Sequence, residues 1–144
     1  MEGEKKNRIK EVIQLNALAV LSTVTSEGAS ESAAVEISVL DNLELIFDTL
    51  ASFRKYRNLA TNRNVSVVIG LEPVTIQYEG TAFELEGKEL NDYKKIHLDR
   101  FPEAAKFEKL GMKFFKVLPK WIRYTDAVKQ PWEVFEVNFM WARE

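Results

Sequence analysis

Residues 45–70 read LIFDTLASFRKYRNLATNRNVSVVIG. The stretch opens as a strand on the apolar run Leu45-Ile46-Phe47 and closes as one on the β-branched Val65, Val67, Val68 and Ile69. Between them, Ser52 is the predicted N-cap of a helix carrying Phe53, Tyr56, Leu59 and Ala60 at i, i+3, i+6 and i+7. Arg54 and Lys55 then fall in its first turn, where the positive helix end disfavours cations. Two readings resolve that conflict. A bound anion would be met by free N–H groups, the helix dipole and two side-chain cations together. Alternatively these cations, with Arg57 and Arg63 behind them, form an ordinary solvated helix face.

Upstream, residues 4–16 have an amphipathic pattern with Ile9, Val12 and Ile13 in one stripe. Residues 18–24 (LAVLSTV) read as a strand with little clean alternation, covered on both faces, and Thr25-Ser26-Glu27-Gly28 as a turn. Residues 30–40 read as the return strand, with Val35, Ile37 and Val39 on a buried face and Glu36 and Ser38 on a polar one. Leu40-Asp41-Asn42-Leu43 is a tight hairpin in which Asp and Asn tolerate positive φ.

Downstream, residues 74–85 form a long strand with Val74, Ile76 and Tyr78 on one face, and Gly80 predicts a bulge or bend. Residues 88–101 are a helix, with Leu90, Tyr93 and either Ile96 or His97 at helical spacing, and Pro102 starts a short second one. Strands at 113–118, 121–125 and 134–139 follow, separated by Pro119 and by Lys129-Gln130-Pro131. Short strands, tight turns and few helices predict one mainly β domain over residues 1–144, a closed or partly closed antiparallel barrel of about six strands.

The 144 residues suffice for a real core, and 46% hydrophobic with 29% charged residues is ordinary for a globular chain. A net charge of −2 argues against a general nucleic-acid binder. No apolar run approaches the ~20 residues of a membrane span, and the N-terminus has no apolar signal-peptide core. Zero cysteines exclude disulfides, thiolate metal sites and a cysteine nucleophile, and fit a cytoplasmic location.

With no cysteine and the single histidine His97, a transition-metal site would need mostly carboxylates. His97 reads as a surface or half-buried structural residue, since no nucleophile or orienting partner is in evidence. The signatures of dinucleotide binding, P-loops and nucleophile elbows are absent. Chemistry that asks little of side chains fits these absences: a bound redox cofactor carries its own reactivity.

Three segments, LAVLSTVTSEGASESAAVEIS, LELIFDTLASFRKYRNLATNRNVSVVIG and VTIQYEGTAFEL, in this order, resemble the flavin mononucleotide (FMN)-binding split-barrel family typified by pyridoxamine 5′-phosphate oxidase. The resemblance covers roughly residues 12–86, with a weaker tail through WIRYTDAV. It implies an antiparallel split β-barrel whose FMN phosphate is gripped by a strand-end threonine and a basic pair, here Thr49, Arg54 and Lys55, with Ser52 in the loop between. It implies that Thr75 faces the flavin ring and that an aromatic residue, here Trp132, approaches it from the other subunit of a homodimer. The pyridoxamine oxidase pattern also has an arginine before the second strand's apolar run and a basic residue after it. Residues 32–38 here read SAAVEIS, in which Ser38 can replace one phosphate contact without bringing charge. The Arg-Leu-containing end of the oxidase is likewise missing from the last residues, WEVFEVNFMWARE.

The expected function is therefore an FMN-dependent oxidoreductase of unknown substrate and electron donor. The alternative is a non-catalytic protein holding a flavin, haem or deazaflavin for electron transfer or sensing. Trp132, Phe135, Phe139 and Trp141 suggest more apolar surface than one barrel can bury, which favours a homodimer with the cofactor at its interface, although they could instead close the barrel's own core.

Overall fold

The computed structural model describes residues 2–140. Helix α1 (Glu2–Gln14) leads into strands β1 (Leu18–Val24), β2 (Ser30–Glu36), β3 (Ser38–Val39) and β4 (Leu45–Leu50). Helix α2 (Arg54–Thr61), strands β5 (Asn64–Ile69) and β6 (Val74–Glu84) and helix α3 (Gly87–Arg100) follow. A 3-10 segment (Pro102–Leu110) precedes the long strand β7 (Met112–Asp126) and then strand β8 (Glu133–Asn138). Every pairing is antiparallel, in the order β2-β1-β5-β6-β7-β4-β3, with β8 added to β7. The two ends of that order, β2 and β3, are separated in the chain by Ile37 alone. One extended segment thus forms both margins, and the sheet curls round to meet itself. This is the expected split barrel, with eight strands among the described residues where about six were expected.

The strand count differs for two reasons. Ile37 and Ser38 are adjacent yet both buried, so strict alternation fails and the expected 30–40 strand breaks at Ile37. Conversely, Pro119 does not end a strand: β7 runs through it, and the register against β6 slips by one residue at Glu79/Gly80, leaving Lys120 as the extra residue. Gly80 marks that bend as expected. A Cβ there would lie 2.5 Å from the Leu118 carbonyl oxygen and 2.8 Å from Val117 Cγ1.

Other details also correct the sequence reading. In β1 alternation is clean: Ala19, Leu21 and Thr23 are buried, whereas Leu18 and Val20 are exposed instead of covered. In the hairpin after β3 the positive φ, 70°, falls on Leu43 and not on Asp41 or Asn42. Leu43 is fully buried, so core packing holds it there, while Asn42 Oδ1 accepts the Glu44 N–H at 3.0 Å.

The barrel is filled by inward residues of every long strand, among them Leu21, Phe47, Val67, Ile76, Phe115 and Ile122. Phe47 stacks on Phe115 at 5.2 Å, and the buried Tyr78 hydroxyl donates to the Leu43 carbonyl at 2.7 Å. Helix α1 closes one opening with Ile9 and Ile13 and is fastened to β8 by Arg8, whose two terminal nitrogens each lie 2.7 Å from a Glu133 oxygen. That hydrogen bonding holds the Glu133 carboxyl down at about 2. Phe135 stacks on Tyr124, and Phe139 packs against the core, so these two aromatics serve the chain's own interior. Trp132 is 62% exposed, and Trp141 lies outside the described residues.

Gly80→Ala should lower stability by about 1–3 kcal/mol, the usual cost of overpacking. The check is urea denaturation, with a lower midpoint and an unchanged slope.

Candidate functional site

The turn from β4 into α2 is the centre of the site. Strand β4 ends with Asp48, Thr49 and Leu50, and the chain turns through Ala51, Ser52 and Phe53. The Ala51 N–H donates to the Gly111 carbonyl and the Phe53 N–H to the Leu50 carbonyl, at 2.9 and 3.0 Å. The N-cap position belongs to Phe53, not Ser52, and no side chain caps the helix. Among the described residues, the first-turn N–H groups of Arg54 and Lys55 have no backbone acceptor. The uncapped helix start is thus left open toward an acceptor from outside the helix.

Two clefts flank this turn and share Phe53 and Lys55. The first, about 300 Å³, is polar: Thr23, Glu31 and Ser32 of the β1–β2 hairpin face Ser52, Arg54 and Lys55. The second, about 320 Å³, is walled by Leu18, Ala34, Leu50, Phe107 and Met112, with Glu36, Asp48 and Thr49 among its polar groups. Each has the volume of a small-molecule site.

The two cations differ. Arg54 is exposed, and its Nη1 lies 2.9 Å from Glu31 Oε2. Asn58, buried on α2, donates to Glu31 Oε1 and Thr23 Oγ1, both at 2.9 Å. Lys55 is half-buried with no hydrogen bond or ion pair among the described residues; its ammonium lies 5.1 Å from the Phe53 ring centroid. Burial lowers its pKa, the Asp48 carboxylate opposes that shift, and Arg54 adds to it. Thr49 is 3% exposed, and its Oγ1 is buried without a partner. Such orphans are rare among buried polar atoms, and this one stands beside the second cleft.

Thr49, Ser52, Arg54 and Lys55 therefore gather round one turn. Ser38 does not reach either cleft: it is buried, its Oγ 2.7 Å from His97 Nδ1. Thr75 and Trp132 lie at the opposite end of β7 from Thr49, since Thr75 pairs with Thr125 whereas Thr49 pairs with Lys113. His97 is fully buried rather than half-exposed, with Nε2 2.9 Å from Asp48 Oδ2, so it ties α3 to both β3 and β4. Sequence reading missed Glu31, Asn58 and Asp48. Asn58 was the detectable signal, an amide on the helix side that packs inward. Among the described residues, no group of three or more His, Cys, Asp or Glu is arranged to hold a metal ion, and no helix is long and apolar enough to cross a membrane.

The sequence profile of the pyridoxamine 5′-phosphate oxidase family matches residues 6–143. The chain belongs to that family. No curated protein matches it. Among solved structures, a pyridoxamine 5′-phosphate oxidase-related, FMN-binding protein from Nostoc punctiforme is 11% identical with a TM-score of 0.66, over 96% of this chain and 93% of that one. General Stress Protein 26 from Bacillus anthracis is 22% identical with a TM-score of 0.69, covering 93% and 99%. A haem-binding protein from Mycobacterium smegmatis is 18% identical with a TM-score of 0.77; the alignment takes in 94% of this chain but only 57% of that longer protein. These likenesses establish the split barrel of the oxidase family.

The orphan hydroxyl gives a direct check. Thr49→Val should leave the ligand-free protein as stable or stabilise it by up to ~1 kcal/mol, because an unsatisfied buried polar atom is removed. A drop in thermal midpoint without ligand would mean that the hydroxyl already has a partner.

Proposed function

We propose that the protein binds FMN as an oxidoreductase related to pyridoxamine 5′-phosphate oxidase, acting in the cytoplasm on a small molecule yet to be identified. The observation that carries this is Lys55: a partly desolvated, unpaired ammonium at the junction of a polar cleft and an apolar one. A ligand with a phosphate at one end and a large apolar ring at the other matches that sequence of surfaces. Arg54, Lys55, Ser52 and the first-turn N–H groups would hold the phosphate, with Thr49 Oγ1 as a further donor. FMN, when bound, supplies the electron-accepting ring. The rest of the chain binds it, orients it and excludes water.

Membership of the oxidase family supports this reading, as does the FMN-binding name of the Nostoc relative. The haem-binding relative raises a second ligand, and His97 weighs against it. The chain has a single histidine and no cysteine, and both His97 ring nitrogens are engaged in the interior, so neither residue type offers haem iron an axial ligand.

A homodimer belongs to the same proposal. Val20 and Val68 are direct neighbours across β1 and β5 and, with Leu18, leave apolar side chains 38–59% exposed. Leu18 also lines the second cleft, so a two-fold contact over this face would cover the cofactor site. A non-catalytic role would keep the same site without turnover, and reduction of the bound flavin by a nicotinamide nucleotide with turnover distinguishes the two.

Purified protein should be yellow and release a flavin on denaturation. Arg54→Ala should weaken FMN binding about tenfold to a hundredfold, the loss of one charge-assisted contact. Riboflavin, lacking the phosphate, should bind both proteins alike in titrations at one salt concentration. Equal weakening of both ligands would return Arg54 to the solvated-face reading.

Val20→Glu should convert a dimer into a monomer by light scattering at micromolar concentration. A wild-type monomer there would refute the shared interface.

A further inference from the structure

The first cleft contains an acid where an anion is expected to bind. Its charged lining groups are Glu31, Arg54 and Lys55. Glu31 stands on β2 and is fixed from behind by Asn58, whose amide also holds Thr23. Its other oxygen takes Arg54. The Glu31 side chain is 22% exposed and that of Arg54 is 64% exposed, so the acid is the anchored partner and the arginine the one free to move. Simple solubility does not require a carboxylate in this place, because Arg54 on an open helix start would be solvated without one.

We propose that Glu31 is the built-in counter-ion of this anion site: it competes with a ligand phosphate for Arg54 and limits how tightly the phosphate is then held. The inference rests on the flavin-phosphate reading above and adds to it. A partly exposed ion pair is weak, and a phosphate offers Arg54 more charge and more acceptor atoms, so the ligand wins the exchange. The displaced carboxylate cannot leave, because Asn58 keeps it on the cleft wall. It remains a like charge beside the phosphate and opposes it. A site built this way takes up FMN and gives it back, treating the flavin as an exchangeable ligand rather than a resident group. Glu31 is thus a specificity and affinity residue and takes no part in electron transfer.

The test titrates FMN and riboflavin into wild type, Glu31→Gln and Glu31→Ala. Glutamine keeps a carbonyl acceptor for Asn58 and loses only the charge; alanine removes both. FMN should bind both variants about tenfold more tightly, a change of ~1.4 kcal/mol, and leave more slowly in a stopped-flow chase, with riboflavin unchanged. Weaker or unchanged FMN binding in both variants would make Glu31 a brace or a bystander and overturn the proposal. So would an equal gain for riboflavin. If wild type prefers FMN and Arg54→Ala loses that preference while Glu31→Gln changes nothing, the phosphate reading survives and this one falls. If wild type does not distinguish FMN from riboflavin, both fall.

Discussion

Closure of the sheet through Ile37 is the constraint on which the rest of the molecule depends. A sheet strip of this kind has two open margins, each a row of unpaired backbone groups. Here the same extended segment supplies both, β2 against β1 and β3 against β4, with one buried residue as the joint. The joint brings the β1–β2 hairpin up to the end of β4, and the gap between them is the site. Glu31 and Ser32 arrive on β2 at one margin, Thr49 on β4 beside the other and Arg54 on the helix that follows it. These residues are neighbours only because the barrel is closed.

Electrostatics at that gap are balanced differently for each cation. Arg54 has an ion pair with Glu31; Lys55, partly desolvated, has the Phe53 ring beside it and feels the Asp48 carboxylate, with no ion pair among the described residues. Beside the apolar cleft, the Thr49 hydroxyl has no hydrogen-bond partner among the described residues. By contrast, the buried polar line Ser38–His97–Asp48 has a partner at every link and works as internal fastening.

Much of this was legible in the sequence, because period and turn chemistry are local. The strand–helix–strand order of residues 45–70, the bend at Gly80 and a helix over residues 88–101, found at 87–100, all follow from patterns within a few residues. The misread features are tertiary. Ser52 is a good capping residue, but the turn is set by Ala51 bonding to Gly111, sixty residues on, and Phe53 takes the cap. Leu43 adopts a conformation that leucine avoids because the core needs its side chain. At the site, the basic pair and Thr49 stand in one local run, so their proximity could be read. The approach of Glu31 to Arg54 depends on closure and has no local signature.

Strand β7 has a consequence for how the protein comes into being on the ribosome. It pairs with β6 along its length, with β4 through its first half and with β8 through its second. Until residues 112–126 have emerged, β4 has only the two-residue β3 beside it, and β3 is too short to hold it. A nascent chain can assemble the β2-β1-β5-β6 part of the sheet earlier, since those pairings lie within residues 18–84. One wall of the cleft therefore exists well before the other. The apolar surface of Leu18, Val20 and Val68 belongs to the part that forms first.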